Sequence, residues 1–197
     1  MTSPTGPEAQ PVGTFWVLEL AHPLPAAPRP RLPVAFLRLG PADAAALAQA
    51  MRYDDPEPVR QRFAAGKHCY AGQIDNAIAT YGWVTFDEES IGELGLRFHL
   101  APGDAYIWDC ATLPLYRGQG LYPALLAHIA RALHQAGLSR AWVGADADNL
   151  PSQSGMARAG FLPVVDILPS PTPPGLCLRG RPGVLEQMVR DMRAALR

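Results

Sequence analysis

Arg117-Gly118-Gln119-Gly120 stands between a strand-like run and an apolar, leucine-rich segment. Two glycines let a backbone turn successive N–H groups to one side, and the first turn of a following helix adds partial positive charge. Such a loop suits a phosphate or pyrophosphate. The spacing excludes two common forms. A loop of the G-x-x-x-x-G-K-[ST] type needs a lysine that this stretch lacks. A G-x-G-x-x-G dinucleotide fingerprint finds its first two glycines in Gly118 and Gly120, but Pro123 takes the third place. A tight strand-to-helix turn with no ligand is the other reading of the same glycines.

Few other residues carry chemistry. Asp109 interrupts the apolar run Ala105–Thr112. Strict alternation puts Tyr106, Trp108, Cys110 and Thr112 on one face, and Ile107, Asp109 and Ala111 on the other. A carboxylate there is too costly to bury alone, so Asp109 either lines a cleft or meets an arginine. Asn149 precedes Pro151 and suits a helix N-cap. His68, His99, His128 and His134 lack ligand spacing, and Cys69, Cys110 and Cys177 resemble neither a metal site nor a disulfide framework, so no metal is expected.

The elements that must position these residues follow from periodicity and punctuation. Residues 1–11 read as a disordered tail and 12–197 as a single domain. Strands are expected at 14–21, 33–39, 68–74, 77–86, 91–100, 105–112, 140–145, 162–168 and 176–179. Asp75-Asn76 marks a hairpin, and Ala101-Pro102-Gly103-Asp104 a turn. Helices are expected at 42–52, 58–65, 122–136, 151–159 and 183–196. The segment PLPAAPRPRLP at 23–33 is too proline-rich for helix or central strand; it reads as a stiff connector or as a polyproline ligand for a partner. The order predicts a mixed α/β (α+β) fold with consecutive antiparallel hairpins.

Composition narrows the setting. The 197 residues carry a formal net charge of -1, so no global basic field draws the chain to nucleic acid or membrane. No apolar run approaches spanning length, no leader is evident, and the cysteine usage fits a reducing compartment, so a cytoplasmic protein is expected.

Arg117-Gly118-Gln119-Gly120-Leu121-Tyr122 resembles the R-x-x-G-x-[GA] pyrophosphate loop of the GNAT acetyltransferase superfamily, with Thr112-Leu113-Pro114 before it as in that family. DNLPSQSGMARAGF at 148–161 is similar to the family's second signature, with Asn149, Ser152, Arg158, Gly160 and Phe161 in register. The hairpin at 69–84 is similar to its central meander, and the resemblance covers residues 34–168. It implies a GNAT-like sheet, mostly antiparallel, splayed at the acyl-CoA site and flanked by helices. It implies acetyl-CoA, or another acyl-CoA, as co-substrate. Its pyrophosphate would sit on the N–H groups of Arg117, Gly118, Gln119, Gly120 and Leu121. Its pantetheine arm would lie beside Ala111, Thr112 and Leu113. Tyr122, Asn149 and Ser152 would adjoin the cofactor, and the Cys110 backbone N–H would polarise the acyl carbonyl. Asp109, Glu93 and Tyr106 are the candidate bases.

The chain departs from the family twice: Tyr122 stands where a small residue is usual, and Met156 where many members carry an acidic tyrosine. The resemblance implies N-acyl transfer to a small-molecule or peptide amine. A non-catalytic acyl-CoA-binding module is the alternative, and an interaction protein using its proline-rich segments a third. The strand at 14–21 and the last helix are expected to support a homodimer or to cover the acceptor cleft.

Overall fold

The computed structural model describes residues 9–21, 23–91, 96–171, 176–183, 186 and 190. Its strands are β1 (Gly13–Glu19), β2 (Ala35–Leu39), β3 (His68–Ile74), β4 (Ala77–Thr85), β5 (Glu88–Ile91), β6 (Leu96–His99), β7 (Asp104–Thr112), β8 (Arg140–Asp146), β9 (Leu162–Pro169) and β10 (Leu176–Gly180). Four helices join them: α1 (Ala44–Met51), α2 (Glu57–Ala64), α3 (Leu121–Gln135) and α4 (Leu150–Arg158). Eight strands form one sheet in the order β10-β9-β1-β8-β7-β4-β3-β2, and β5 and β6 form a separate ribbon. Every neighbouring pair is antiparallel except β7 and β8, which run parallel. The mixed α/β architecture read from the sequence is therefore the observed one.

Turn chemistry fixes the register. Asp75 and Asn76 both have positive φ (50° and 63°), as a two-residue hairpin loop requires. Gly103, at φ 89°, lets the Asp104 N–H donate to the Ala101 carbonyl at 2.9 Å. The helices then cover both faces of the sheet. Leu125, Leu126, Ile129 and Leu133 of α3 bury against Val84, Ile107 and Val143. Leu47 and Ala48 of α1 and Val59 of α2 bury against Cys69, Tyr81 and Trp83 on the other face. Each fully buried Leu or Ile side chain stabilises the fold by about 1.5–3 kcal/mol.

Four expectations need correction. The single strand at 91–100 is instead the second half of a ribbon, β5 with β6. The helix from 42 begins as a 3₁₀ turn at Pro41–Asp43, because Pro41 opens it. The N-terminal strand is no appendage. It lies between β8 and β9 with hydrogen-bonded neighbours on both sides, so neither of its edges is free to pair with a second copy. Alternation along β7 also fails, because the β4 register passes from Trp83↔Trp108 to Tyr81↔Ala111. Asp109 and Cys110 thus oppose Gly82 alone, and Asp109 takes φ 42°. The bulge moves Cys110 to the α3 face with Ile107, and Ala111 to the α1 face with Trp108. Gly82 makes room: a Cβ there would stand 2.7 Å from Cys110 Sγ. Glu93 lies outside the described residues, as does most of the expected helix at 183–196.

Two buried carboxylates hold the sheet. Asp104, 4% exposed, accepts from Arg140 Nε at 2.8 Å and from Trp142 Nε1 at 2.9 Å, clamping the start of β7 to β8. Asp166 accepts from Thr14 Oγ1 at 3.0 Å and from Arg181 Nε at 2.8 Å, tying β9 to β1 and to the residue after β10.

The proline-rich segment at 23–33 has no regular structure, yet it is seated. Leu24 packs on the α3 core, Pro25 sits over Gly160, and the Arg31 N–H donates to the Gln119 carbonyl at 2.8 Å. It is a strap across the α3 and α4 ends.

Asp104→Ala leaves Arg140 and Trp142 without their acceptor and is expected to cost about 3 kcal/mol, read as a lower urea midpoint at unchanged slope. Gly160 has φ 91°, and a Cβ there would stand 2.4 Å from Pro25 Cγ. Gly160→Ala is expected to cost roughly 2 kcal/mol and to lower the melting temperature.

Candidate active site

The site begins where β7 and β8 part. Their parallel pairing runs only from Asp104↔Arg140 to Ile107↔Val143. Past that point β7 follows β4. Thr80 Oγ1 donates to the Ala111 carbonyl at 2.9 Å and lies 3.0 Å from Thr112 Oγ1, and the Leu113 N–H donates to the Ala79 carbonyl at 2.9 Å. The bulge at Asp109 and Cys110 bends β7 along this path. β8 stays with β1 through Asp146. The edge of β7 facing β8 is therefore without a strand partner from Trp108 to Thr112. Two clefts open on it and meet.

The first cleft, of about 570 Å³, runs from the opened edge to the glycine loop. Cys110, Ala111, Thr112, Arg117, Gly118, Gly120, Leu121, Tyr122, Asn149 and Ser152 line it, which brings most of the sequence-selected binding residues together. Gly118 and Gly120 both have φ 75°, and a Cβ at Gly118 would meet nothing within 4 Å. Gly120 is the N-cap of α3, and no side chain caps that helix, so its first N–H groups keep their donors for a ligand. Arg117 Nε donates to the Thr112 carbonyl at 3.2 Å, bracing the loop against the end of β7. Two expected contributors stand apart. Gln119 does not line the cleft, and its carbonyl is taken by the strap. Leu113 faces a hollow on the α1 side, shared with Ala111, Thr112 and Arg117. Arg158, in register with Asn149 and Ser152 in the sequence, also lines the cleft, with Nη2 3.8 Å from where a Gly120 Cβ would stand.

These features fit a pyrophosphate-bearing thioester. The uncapped helix and the two left-handed glycines form an anion cradle, and the opened edge of β7 offers backbone groups to an extended arm.

The second cleft, of about 580 Å³, lies across the same edge. Phe15, Tyr106 and Trp108 give it aromatic walls, and Glu89, Asp109 and Asp146 supply carboxylates. Asp109 both lines the cleft and meets an arginine. Arg62 Nη1 of α2 lies 2.5 Å from its Oδ2. The Arg62 guanidinium also sits 4.7 Å from the Trp108 ring centroid and 5.2 Å from that of Trp83, a cation–π arrangement. Glu89 pairs with Lys67 at 3.3 Å. Nothing local in the sequence marks Arg62, a helical arginine 47 positions from Asp109.

Cys110, Tyr122, Asn149 and Ser152 border both clefts. Asn149 caps α4, its Oδ1 accepting from the Ser152 N–H at 3.1 Å. Ser152 Oγ donates to Tyr122 Oη at 3.1 Å. Burial pushes the Tyr122 phenol and the Cys110 thiol well above their ordinary pKa values, so both stay protonated near neutrality. Cys110 Sγ points to the Trp108 carbonyl at 3.6 Å. Met156 is fully buried in the α3 core and borders neither cleft. Among the described residues no group of three His, Cys, Asp or Glu is placed to hold a metal ion, and no helix is long and apolar enough to cross a membrane.

Solved structures share this fold. An acetyltransferase of the GNAT family from Colwellia psychrerythraea shares the fold at TM-score 0.54 and 12% identity, over 79% of this chain and 54% of that one. A GCN5-related N-acetyltransferase from Sphaerobacter thermophilus does so at 0.54 and 18%, over 79% and 50%. An aminoglycoside acetyltransferase from an uncultured soil metagenomic sample does so at 0.52 and 16%, over 64% and 86%. The chain thus spans about half the length of the first two. No curated protein matches significantly. The model of the Acetyltransferase (GNAT) family matches residues 41–161, which takes in the hairpin, the opened strand, the glycine loop and α4. The chain belongs to the GNAT acetyltransferase family.

Proposed function

We propose that the chain is an acyl-CoA-dependent N-acyltransferase that moves acetyl from acetyl-CoA directly to a primary amine. The observation that carries this reading is the meeting of two clefts, one ending in an anion cradle and the other in carboxylates, across the unpaired edge of β7.

Each part has a task in that reaction. The N–H groups of Gly118, Gly120 and Leu121 bind the pyrophosphate, with Arg117 and Arg158 adding charge. Ala111 and Thr112 present backbone groups to the pantetheine arm as a strand would. The Cys110 N–H, outside the paired register at the bulge, polarises the acyl carbonyl. With Glu89 and Asp109 each paired to a cation, Asp146 leaves the second cleft net negative and attracts an ammonium, so the acceptor is cationic, a small molecule or a peptide amine. Asp109 is fixed there by Arg62, and the ammonium proton leaves to water in that cleft. No metal takes part.

A second reading, a non-catalytic acyl-CoA-binding module of the same fold, is favoured by one observation: Met156 is buried where many family members have a tyrosine. A single domain with an N-terminal tail, working as a cytoplasmic enzyme, completes the proposal.

Calorimetry with acetyl-CoA tests it. Wild type is expected to bind with a Kd on the order of micromolar. Gly120→Trp, which fills the cradle, is expected to weaken binding at least about tenfold, with a lowered melting temperature from the strain of a side chain at φ 75° but a folded protein at the temperature of the titration. Absence of binding by wild type overturns both readings. Binding without thiol release on any cationic amine favours the second.

A further inference from the structure

We propose that Tyr122 donates the proton to the sulfur that leaves during acyl transfer, taking up from α3 a task that nothing on α4 performs; the inference rests on the acyltransferase reading above.

The reacting atoms must lie where the two clefts meet, and four residues border both. Of the three besides Tyr122, Cys110 and Ser152 have their protons engaged elsewhere, and Asn149, an amide, has none acidic enough to give. Cys110 Sγ points to the Trp108 carbonyl on the α3 side of the bulge. Asn149 Oδ1 caps α4. Ser152 Oγ spends its proton on Tyr122 Oη. Because Tyr122 Oη accepts from Ser152, its own proton is directed elsewhere, at the junction of the clefts.

The fold is shaped to hold that phenol. Tyr122 is the second residue of α3, on the helix turn that opens the anion cradle. Its ring lies over Gly155 of α4, where a Cβ would stand 2.4 Å from Cδ1 and 2.8 Å from Cε1. Any other residue at 155 displaces the ring. Gly155 and Tyr122 therefore form a matched pair, one supplying the space and the other filling it.

The step balances. The amine nitrogen bonds to the acyl carbon as the carbon–sulfur bond breaks. The electron pair of that bond goes to sulfur, which takes the Tyr122 proton and leaves as a thiol. The nitrogen gives up two protons to solvent, one as the ammonium becomes the attacking amine and one as the amide forms, and the phenolate takes one back from solvent through Ser152 Oγ, so one proton is released net. Burial that keeps Tyr122 protonated also raises the basicity of a thiolate formed beside it, so the two remain matched.

The thiol of bound CoA reports this contact without turnover and without knowledge of the acceptor. CoA labelled with ¹³C at the carbon bearing sulfur is titrated by NMR in complex with wild type, Tyr122→Phe and Gly155→Ala. A hydrogen bond from Tyr122 favours the thiolate, so the thiol pKa is expected to rise in Tyr122→Phe, with proton affinity up about tenfold. Calorimetric affinity for CoA should change less than about threefold. Phenylalanine keeps the ring over Gly155, so folding is retained. Gly155→Ala keeps the hydroxyl but moves it, and its titration is expected to shift in the same direction. Identical titrations in all three proteins, at equal CoA affinity, overturn the inference and leave the acyltransferase reading standing. Failure of wild type to bind CoA overturns both.

Discussion

β7 cannot satisfy both of its neighbours. It is clamped to β8 at one end by buried Asp104 and tied to β4 at the other by Thr80 and Leu113. A straight strand could pair with both neighbours along its whole length. The bulge at Asp109 and Cys110 prevents this, and the far half of β7 parts from β8. Backbone groups that a sheet would normally consume are thereby left at the floor of two clefts. Everything proposed for the chain depends on that opened edge, because unpaired strand backbone is a ready partner for an extended ligand.

The opening needs support on both sides. On the α3 side, Gly82 leaves space for the Cys110 thiol, and Gly155 leaves space for the Tyr122 ring. On the α1 side, Arg62 holds Asp109 across the Trp83 and Trp108 rings. At the mouth, the proline strap bonds to Gln119 and covers Gly160, so the glycine loop is braced from outside as well as by Arg117. The strap follows β1 directly, and β1 is held between β8 and β9. The N-terminal segment therefore completes the sheet and steadies the loop in one pass.

Much of this was legible in the sequence, where the signal was local. Gly118 and Gly120 before an apolar 3.6-residue period gave the left-handed turn into α3, Asp75-Asn76 the hairpin, and Asn149 the cap of α4. The lone carboxylate in an apolar strand marked Asp109 as a cleft or paired residue, and it is both. The misses were non-local. A bulge depends on the register of the partner strand, so a period of two misassigned the faces of Cys110 and Ala111. The place of β1 inside the sheet depends on pairing with residues more than 120 positions away. Arg62 reaches Asp109 from a helix whose local pattern shows only a solvated face. The fit of Tyr122 against Gly155 joins two helices and is invisible in either motif alone.

Hydrogen–deuterium exchange with and without CoA tests the opened edge most directly. Amides facing β8 within 108–112, and those of 118–122 at the cradle, are expected to exchange freely in the protein alone and to become protected together on adding CoA, while 104–107 are protected throughout. Protection of 108–112 before CoA is added, or CoA-induced protection elsewhere in the sheet with none at these two stretches, would contradict the splay as the acyl-CoA site.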